Sequence, residues 1–282
     1  MLRKVFALAA VAGLVVAGPV LAATTQKECP AQSWAFSGPF GQYDQEQLQR
    51  GFKVYREVCA SCHSLNLIAF HHLGQPGGPF WSPKNKTAND NPLVKPIAAD
   101  FKVPDIDPDT GDPIKRAATT ADYIPAPFAN EPAARASNGG ALPPDMSLLA
   151  AAREGGPNYI YCLVGLGFKD PAPAGLDVPP GKFYNPYFPG DLSSFWHGKG
   201  DAPVGGAIGM PPPLSPDRVT FDDGTKATVD QEARDISAFL NWASDPKMEE
   251  RKKTGLAVMI YLVIFCGLLY ASYRRIWRNV SH

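Results

Sequence analysis

Cysteine is scarce in this sequence: five occur in 282 residues, and only Cys59 and Cys62 stand at a spacing that carries chemistry. With no second Cys-x-x-Cys pair, a four-cysteine zinc site cannot be closed. Charge is sparse too, at 19% of residues, and cancels to a formal net charge of zero. There is no basic surplus of the kind that binds nucleic acid. No internal repeat and no β-rich stretch is visible, which sets aside repeat architectures and β-sandwiches. Proline and glycine are plentiful instead, 29 and 26 residues, dense in 76–132 and 171–213. Interleaved with Trp, Tyr and Phe, they read as long loops wrapping one core and not as disordered chain.

The two ends differ from the middle. Arg3 and Lys4 precede an apolar run over 6–17, then Gly18-Pro19 and the small-x-small site Val20-Leu21-Ala22. This predicts a signal peptide over residues 1–22 and an exported chain from Ala23. Residues 254–273 contain no charge, and as a helix they would span about 30 Å, the thickness of a bilayer core. Tyr270, Tyr273 and Trp277 suit the interface, and Arg274, Arg275 and Arg278 follow. The expected plan is a single-pass protein of a bacterial inner membrane: a periplasmic domain over 23–253, a transmembrane helix over 254–273 and a cytoplasmic tail over 274–282. Residues 24–250, short of the basic membrane flank Arg251-Lys252-Lys253, carry 19 basic against 27 acidic residues, a net charge of −8, which suits a basic partner or simply solubility.

Cys59-Ala60-Ser61-Cys62-His63 is the pattern of covalent haem attachment. Two thiols add across the two porphyrin vinyl groups, and the adjacent histidine supplies the proximal nitrogen. One such motif predicts one covalently bound haem c. Cys266 falls in the apolar C-terminal run and reads as a small apolar residue there. Cys29 and Cys162 remain, both exported, and a bridge between them is expected.

Residues 43–58 predict a helix leading into the motif, capped by Asp44, with Leu48, Phe52 and Tyr55 on one face. Residues 229–243 predict another, with Val229, Ala233, Ile236, Phe239, Leu240 and Ala243 as an apolar stripe. Two such helices around a haem motif give the expected fold: mainly α, a class I cytochrome c-like haem domain with long irregular loops, plus the C-terminal transmembrane helix. The candidates for the sixth iron ligand are Met146, Met210, His71, His72 and His197. Met210 is favoured, because a glycine-rich approach (Gly205, Gly206, Gly209) and three following prolines suit a thioether held against iron. Met146 and His197 stay as alternatives. His/Met ligation raises the potential and closes the iron to substrate, so an electron carrier is expected over a haem sensor or peroxidase.

At this point the chain resembles cytochrome c1 of the bacterial cytochrome bc1 complex over about residues 41–278. The resemblance is carried by the Cys59–His63 motif, Asn138-Gly139-Gly140-Ala141-Leu142-Pro143-Pro144-Asp145, Gly155-Gly156-Pro157-Asn158-Tyr159-Ile160-Tyr161, Phe183-Tyr184-Asn185-Pro186-Tyr187-Phe188-Pro189-Gly190, Met210-Pro211-Pro212-Pro213 and the C-terminal anchor. It implies Met210 as the distal ligand, Arg153 as partner of a haem propionate, and Asn138, Pro144 and Tyr159 as pocket residues. It implies electron transfer from a Rieske iron–sulfur protein to a soluble or tethered c-type cytochrome, beside cytochrome b in a dimeric quinol-oxidising complex, and no nucleic acid. Two departures stand out: Met146 where leucine is common, and an unusual approach to the methionine over residues 195–204. An independent membrane-tethered shuttle is the competing reading.

Overall fold

The computed structural model describes residues 26–279; the predicted signal peptide and the last three residues of the tail lie outside them. Asp44 opens helix α1 (Gln45–Val54) as expected, its carboxylate accepting the Glu46 and Gln47 amides. Glu46 in the first turn and Lys53 in the last both complement the helix dipole. Leu48, Phe52 and Tyr55 are all buried. The helix does not run on regularly to residue 58. It widens into a π-turn over Tyr55–Cys59, closed by the Ala60 amide on the Tyr55 carbonyl at 2.8 Å, and this turn delivers the cysteine motif.

Between α1 and the second long helix come α2 (Val94–Ala99), strands β1 (Lys102–Ile106) and β2 (Pro113–Ala117), and short helices α3 (Glu131–Ser137), α4 (Leu149–Ala152) and α5 (Pro157–Tyr161). They are followed by strands β3 (Phe183–Asn185) and β4 (Gly206–Ile208), then α6 (Val229–Ser244) and α7 (Met248–Trp277). As expected there is no β-rich region; the strands form two small pairs, with β1 and β2 an antiparallel hairpin and β3 antiparallel to β4. Asp107, Asp109 and Asp112 lie in the turn of that first hairpin. Asp107 accepts the Asp109 and Thr110 amides, and Arg116 ties Asp105 to Asp122 across its base. Periodicity could not find strands this short.

Helix α6 crosses α1 at Gly51, where a side-chain carbon would collide with the Asp235 carbonyl and with Phe239; only glycine permits this approach. Phe52, Tyr55, Phe239 and Trp242 fill the crossing, with ring centroids 5.5–5.9 Å apart along the series. The apolar stripe is present, although Val229 is only half-buried. The sequence reading missed two acids buried on the same helix, Glu232 and Asp235. Asp235 is held by Arg50 at 2.9 Å and by Gln47 and Gln231; the environment of Glu232 differs.

Cys29 and Cys162 form the expected disulfide, with α-carbons 6.0 Å apart and a sequence separation of 133. It ties the N-terminal segment to the end of α5, beside the Trp34 indole bond to Asn158 at 2.7 Å. Replacing both cysteines by alanine is expected to cost about 2–5 kcal/mol, because the bridge closes a long loop in the unfolded chain. Denaturant melts of the haem domain with and without reductant would check it; identical midpoints would contradict it.

Helix α7 contains a stretch apolar enough and long enough to cross a membrane. It begins earlier than the predicted span, only three residues after α6, and its first turns are bonded to the head. The Tyr43 amide donates to Glu249 Oε1 at 2.8 Å, and Lys252 Nζ donates to the Phe36 and Gly41 carbonyls at 2.7 and 3.2 Å.

Candidate haem site

The π-turn places Cys59 at the start of a tight coil, with the Cys62 and His63 amides both donating to the Cys59 carbonyl. Cys59 and Cys62 are partly buried and not joined to each other. Burial, reinforced by Cys62, pushes the Cys59 thiol up to about 12. A redox dithiol needs the opposite, an activated thiolate, so this pair is not built for disulfide exchange.

His63 is buried, and its Nδ1 lies 2.9 Å from the Pro144 carbonyl oxygen. A carbonyl can only accept, so Nδ1 carries the proton and Nε2 keeps the lone pair. Burial lowers the histidine pKa, against the opposing pull of Pro144 and Asp145, and so keeps the ring neutral, as metal ligation requires. Tyr55 adds a hydroxyl bond to the His63 carbonyl at 3.2 Å.

Pro144 is held in place by its neighbours. The Asp145 carboxylate accepts Ser64 Oγ and the Asn66 amide, both at 2.8 Å, and the Ser147 amide at 2.9 Å. The Met146 amide donates to the Ser64 carbonyl, and the Leu67 amide to Ser147 Oγ. Burial opposes the Asp145 charge, but its donors outweigh burial and hold the carboxyl below its ordinary range. This strap, with Asp145 at its centre, was not foreseen. It also ties the backbone of Met146, whose side chain is buried, to the chain just after His63.

The histidine candidates have other partners. His197 is exposed and faces Asp177 at 3.3 Å. His72 Nδ1 accepts the Ala69 amide at 3.1 Å, which leaves the proton of the neutral ring on Nε2. His71 is held against the Thr120 carbonyl. Met210 is half-buried just beyond β4. At the preceding Gly209, a side-chain carbon would come 3.0 Å from Ala141 and 3.2 Å from Lys182 Nζ. Asn138 ends α3, with Nδ2 donating to the Ala134 carbonyl at 2.7 Å. Gly139 and Gly140 then turn the chain with positive φ. The loop over 138–144 therefore reaches the Met210 approach at Ala141 and the His63 ring at Pro144.

Arg153 and Tyr159 form a separate pair. Tyr159 is buried, which raises its pKa, and the Arg153 charge and hydrogen bond oppose the rise. Arg153 is exposed at the end of α4, near the Ala152 carbonyl. An anionic group beside it would find a guanidinium with donors to spare.

As a donor set, two unjoined thiols, a neutral imidazole with one nitrogen reserved and a thioether on a separate loop fit a covalently bound haem c. The comparisons with known proteins agree. A profile of the Cytochrome C1 family matches residues 34–280. Cytochrome c1 of Rhodospirillum rubrum is 42% identical over 266 residues, covering 89% of this chain and 88% of that protein. Cytochrome c1 of Blastochloris viridis is 40% identical, covering 99% and 97%. Cytochrome b/c1 of Bradyrhizobium diazoefficiens is 42% identical over 90% of this chain, which spans only 36% of that longer protein. With a profile match over most of its length and relatives of this identity, the chain belongs to the cytochrome c1 family, and its cofactor is one covalently bound haem c.

Proposed function

We propose that the chain is the electron-transfer haem subunit of a quinol:cytochrome c oxidoreductase. It takes single electrons from a Rieske iron–sulfur protein and passes them to a soluble or tethered c-type cytochrome. It sits beside cytochrome b in a dimeric complex of a bacterial inner membrane, with the haem domain in the periplasm and the C-terminus in the cytoplasm. The carrying observation is the His63 ring, buried, neutral and fixed by the Pro144 carbonyl so that one nitrogen remains for iron.

The haem supplies a one-electron couple; the chain's residues set its terms. Cys59 and Cys62 would fix the ring covalently. His63 and Met210 would hold the iron from both sides and leave no open position, which favours outer-sphere transfer over bond chemistry. Arg153 would neutralise a propionate, with Asn138, Pro144 and Tyr159 lining the pocket. A tethered shuttle needs a flexible linker. Here Glu249 and Lys252, in the first turns of α7, are bonded to the head, which favours a fixed subunit.

Gentle detergent extraction followed by native separation tests the proposal. A band holding this chain, b-type haem and a Rieske signal, and oxidising quinol with cytochrome c as acceptor, is expected. A chain that runs alone with only c-type haem, where other complexes survive, would transfer the assignment to the shuttle.

A further inference from the structure

Glu232 has no task in the haem reading. It stands in the first turn of α6, where a carboxylate is ordinarily exposed and favoured by the helix dipole. Here the side chain is fully buried, and neither carboxyl oxygen has a hydrogen-bond partner of good geometry. The segment that runs on from Met210 covers it. The Asp217 amide donates to the Ala227 carbonyl at 2.8 Å, closing a loop whose Val219, Phe221 and Ala227 are buried. Asp217 holds φ at +58°, a left-handed conformation uncommon for a residue with a side chain. The charged side chains that face Glu232, Asp217 and Arg218, both come from this cover.

A buried carboxylate short of donors keeps its proton into the neutral range. Burial raises the Glu232 pKa to about 7. The Val219 and Arg218 amides and the Arg218 charge pull it down, and the Asp217 charge pushes it further up. Between Met210 and Asp217 stand Pro211, Pro212, Pro213 and Pro216. Each proline fixes φ near −65°, which restricts the backbone that joins Met210 to Asp217.

We propose that Glu232 is a proton-binding site linked to electron transfer through the arm that joins its cover to Met210. The inference rests on the haem reading above. As one electron enters the head, up to one proton from bulk water binds the Glu232 carboxylate; when the electron leaves, the proton returns to water. Two effects share one sign. The extra positive charge of the oxidised head favours the ionised carboxylate. An ionised Glu232 also draws its cover toward water and loosens the arm behind Met210. Both lower the reduction potential as pH rises through neutrality.

The test uses the full-length chain in its membrane complex. Potentials are titrated over roughly pH 6 to 8, on either side of the carboxyl's range, for the native protein and Glu232→Gln. Redox-difference infrared spectra are taken on the same samples. The native potential should fall across this range by a component that Glu232→Gln abolishes. A carbonyl band of a protonated carboxyl should vanish on oxidation of the native protein and be missing from the variant. Equal slopes in the two proteins overturn the proposal. Covalent haem content, assayed as the pyridine haemochrome, separates the two failures: no covalent haem sinks the haem reading, whereas normal haem with an unchanged slope sinks only the role of Glu232. If Glu232→Gln does not assemble, the native infrared titration decides alone, and a redox-silent carboxyl region overturns the linkage.

Discussion

Substituting His63 by alanine is expected to leave membranes without a stable, spectrally normal form of this chain. Three losses coincide. The iron loses its proximal nitrogen. The Pro144 carbonyl, which receives the Nδ1 proton at 2.9 Å, loses its donor. A cavity opens beside Tyr55 and the cysteine coil, at a cost of about 24 cal/mol per Å³ of space not refilled. Cys59 and Cys62 would still be present, so some haem can become attached, but in a pocket with no strong-field ligand on that face. Haem staining of denaturing gels separates attachment from assembly, and reduced-minus-oxidised spectra of the membranes read the ligand state. A mutant with native haem content and a native spectrum would remove His63 from the site. A second substitution sharpens the reading. Asp145→Ala removes the acceptor shared by the strap's three donors without touching a ligand, and loss of an outer-shell support of this kind weakens a metal site by roughly 10–100-fold.

What the sequence made legible follows the physics of short range. Helix α1 could be read because a cap at Asp44 and an apolar repeat through Leu48, Phe52 and Tyr55 lie within four turns. The change to a π-turn at Tyr55 could not, since it depends on how the cysteine coil packs. The disulfide was legible by elimination, once Cys59, Cys62 and Cys266 had other roles. The Asp145 strap joins residues about eighty positions apart, and no local pattern marks it. The same holds for the bond between Lys252 and the Phe36 carbonyl, 216 positions away. Glu232 and Asp235 are the sharper failure: periodicity assigns acids to the wet face, yet both are inside. Asp235 is explained by Arg50 reaching in from α1. Glu232 has no such partner, and an unexplained buried charge is where a functional reading should look first.

Replacing Met210 by leucine separates the ligand question from the fold question. Leucine matches methionine in volume, and such swaps ordinarily cost less than about 1.5 kcal/mol in a packed site. The chain before Met210 is built on β4, whose pairing with β3 does not involve the side chain, and the three prolines after it hold their course regardless. The haem should therefore stay attached and the domain folded. The potential should fall by on the order of 0.2 V, a sizeable share of the roughly 0.8 V that axial ligands control. With the sixth position open, carbon monoxide should bind the reduced variant readily and the native protein poorly. Electron entry should stall as well, because the donor would face an acceptor it can no longer reduce. If Met210→Leu kept the native potential and stayed closed to carbon monoxide, the thioether would have to come from elsewhere. Met146→Leu is the control, and it should change neither quantity if Met146 is a packing residue, as its buried side chain suggests. The two leucine variants thus test one assignment, that Met210 and not Met146 supplies the thioether.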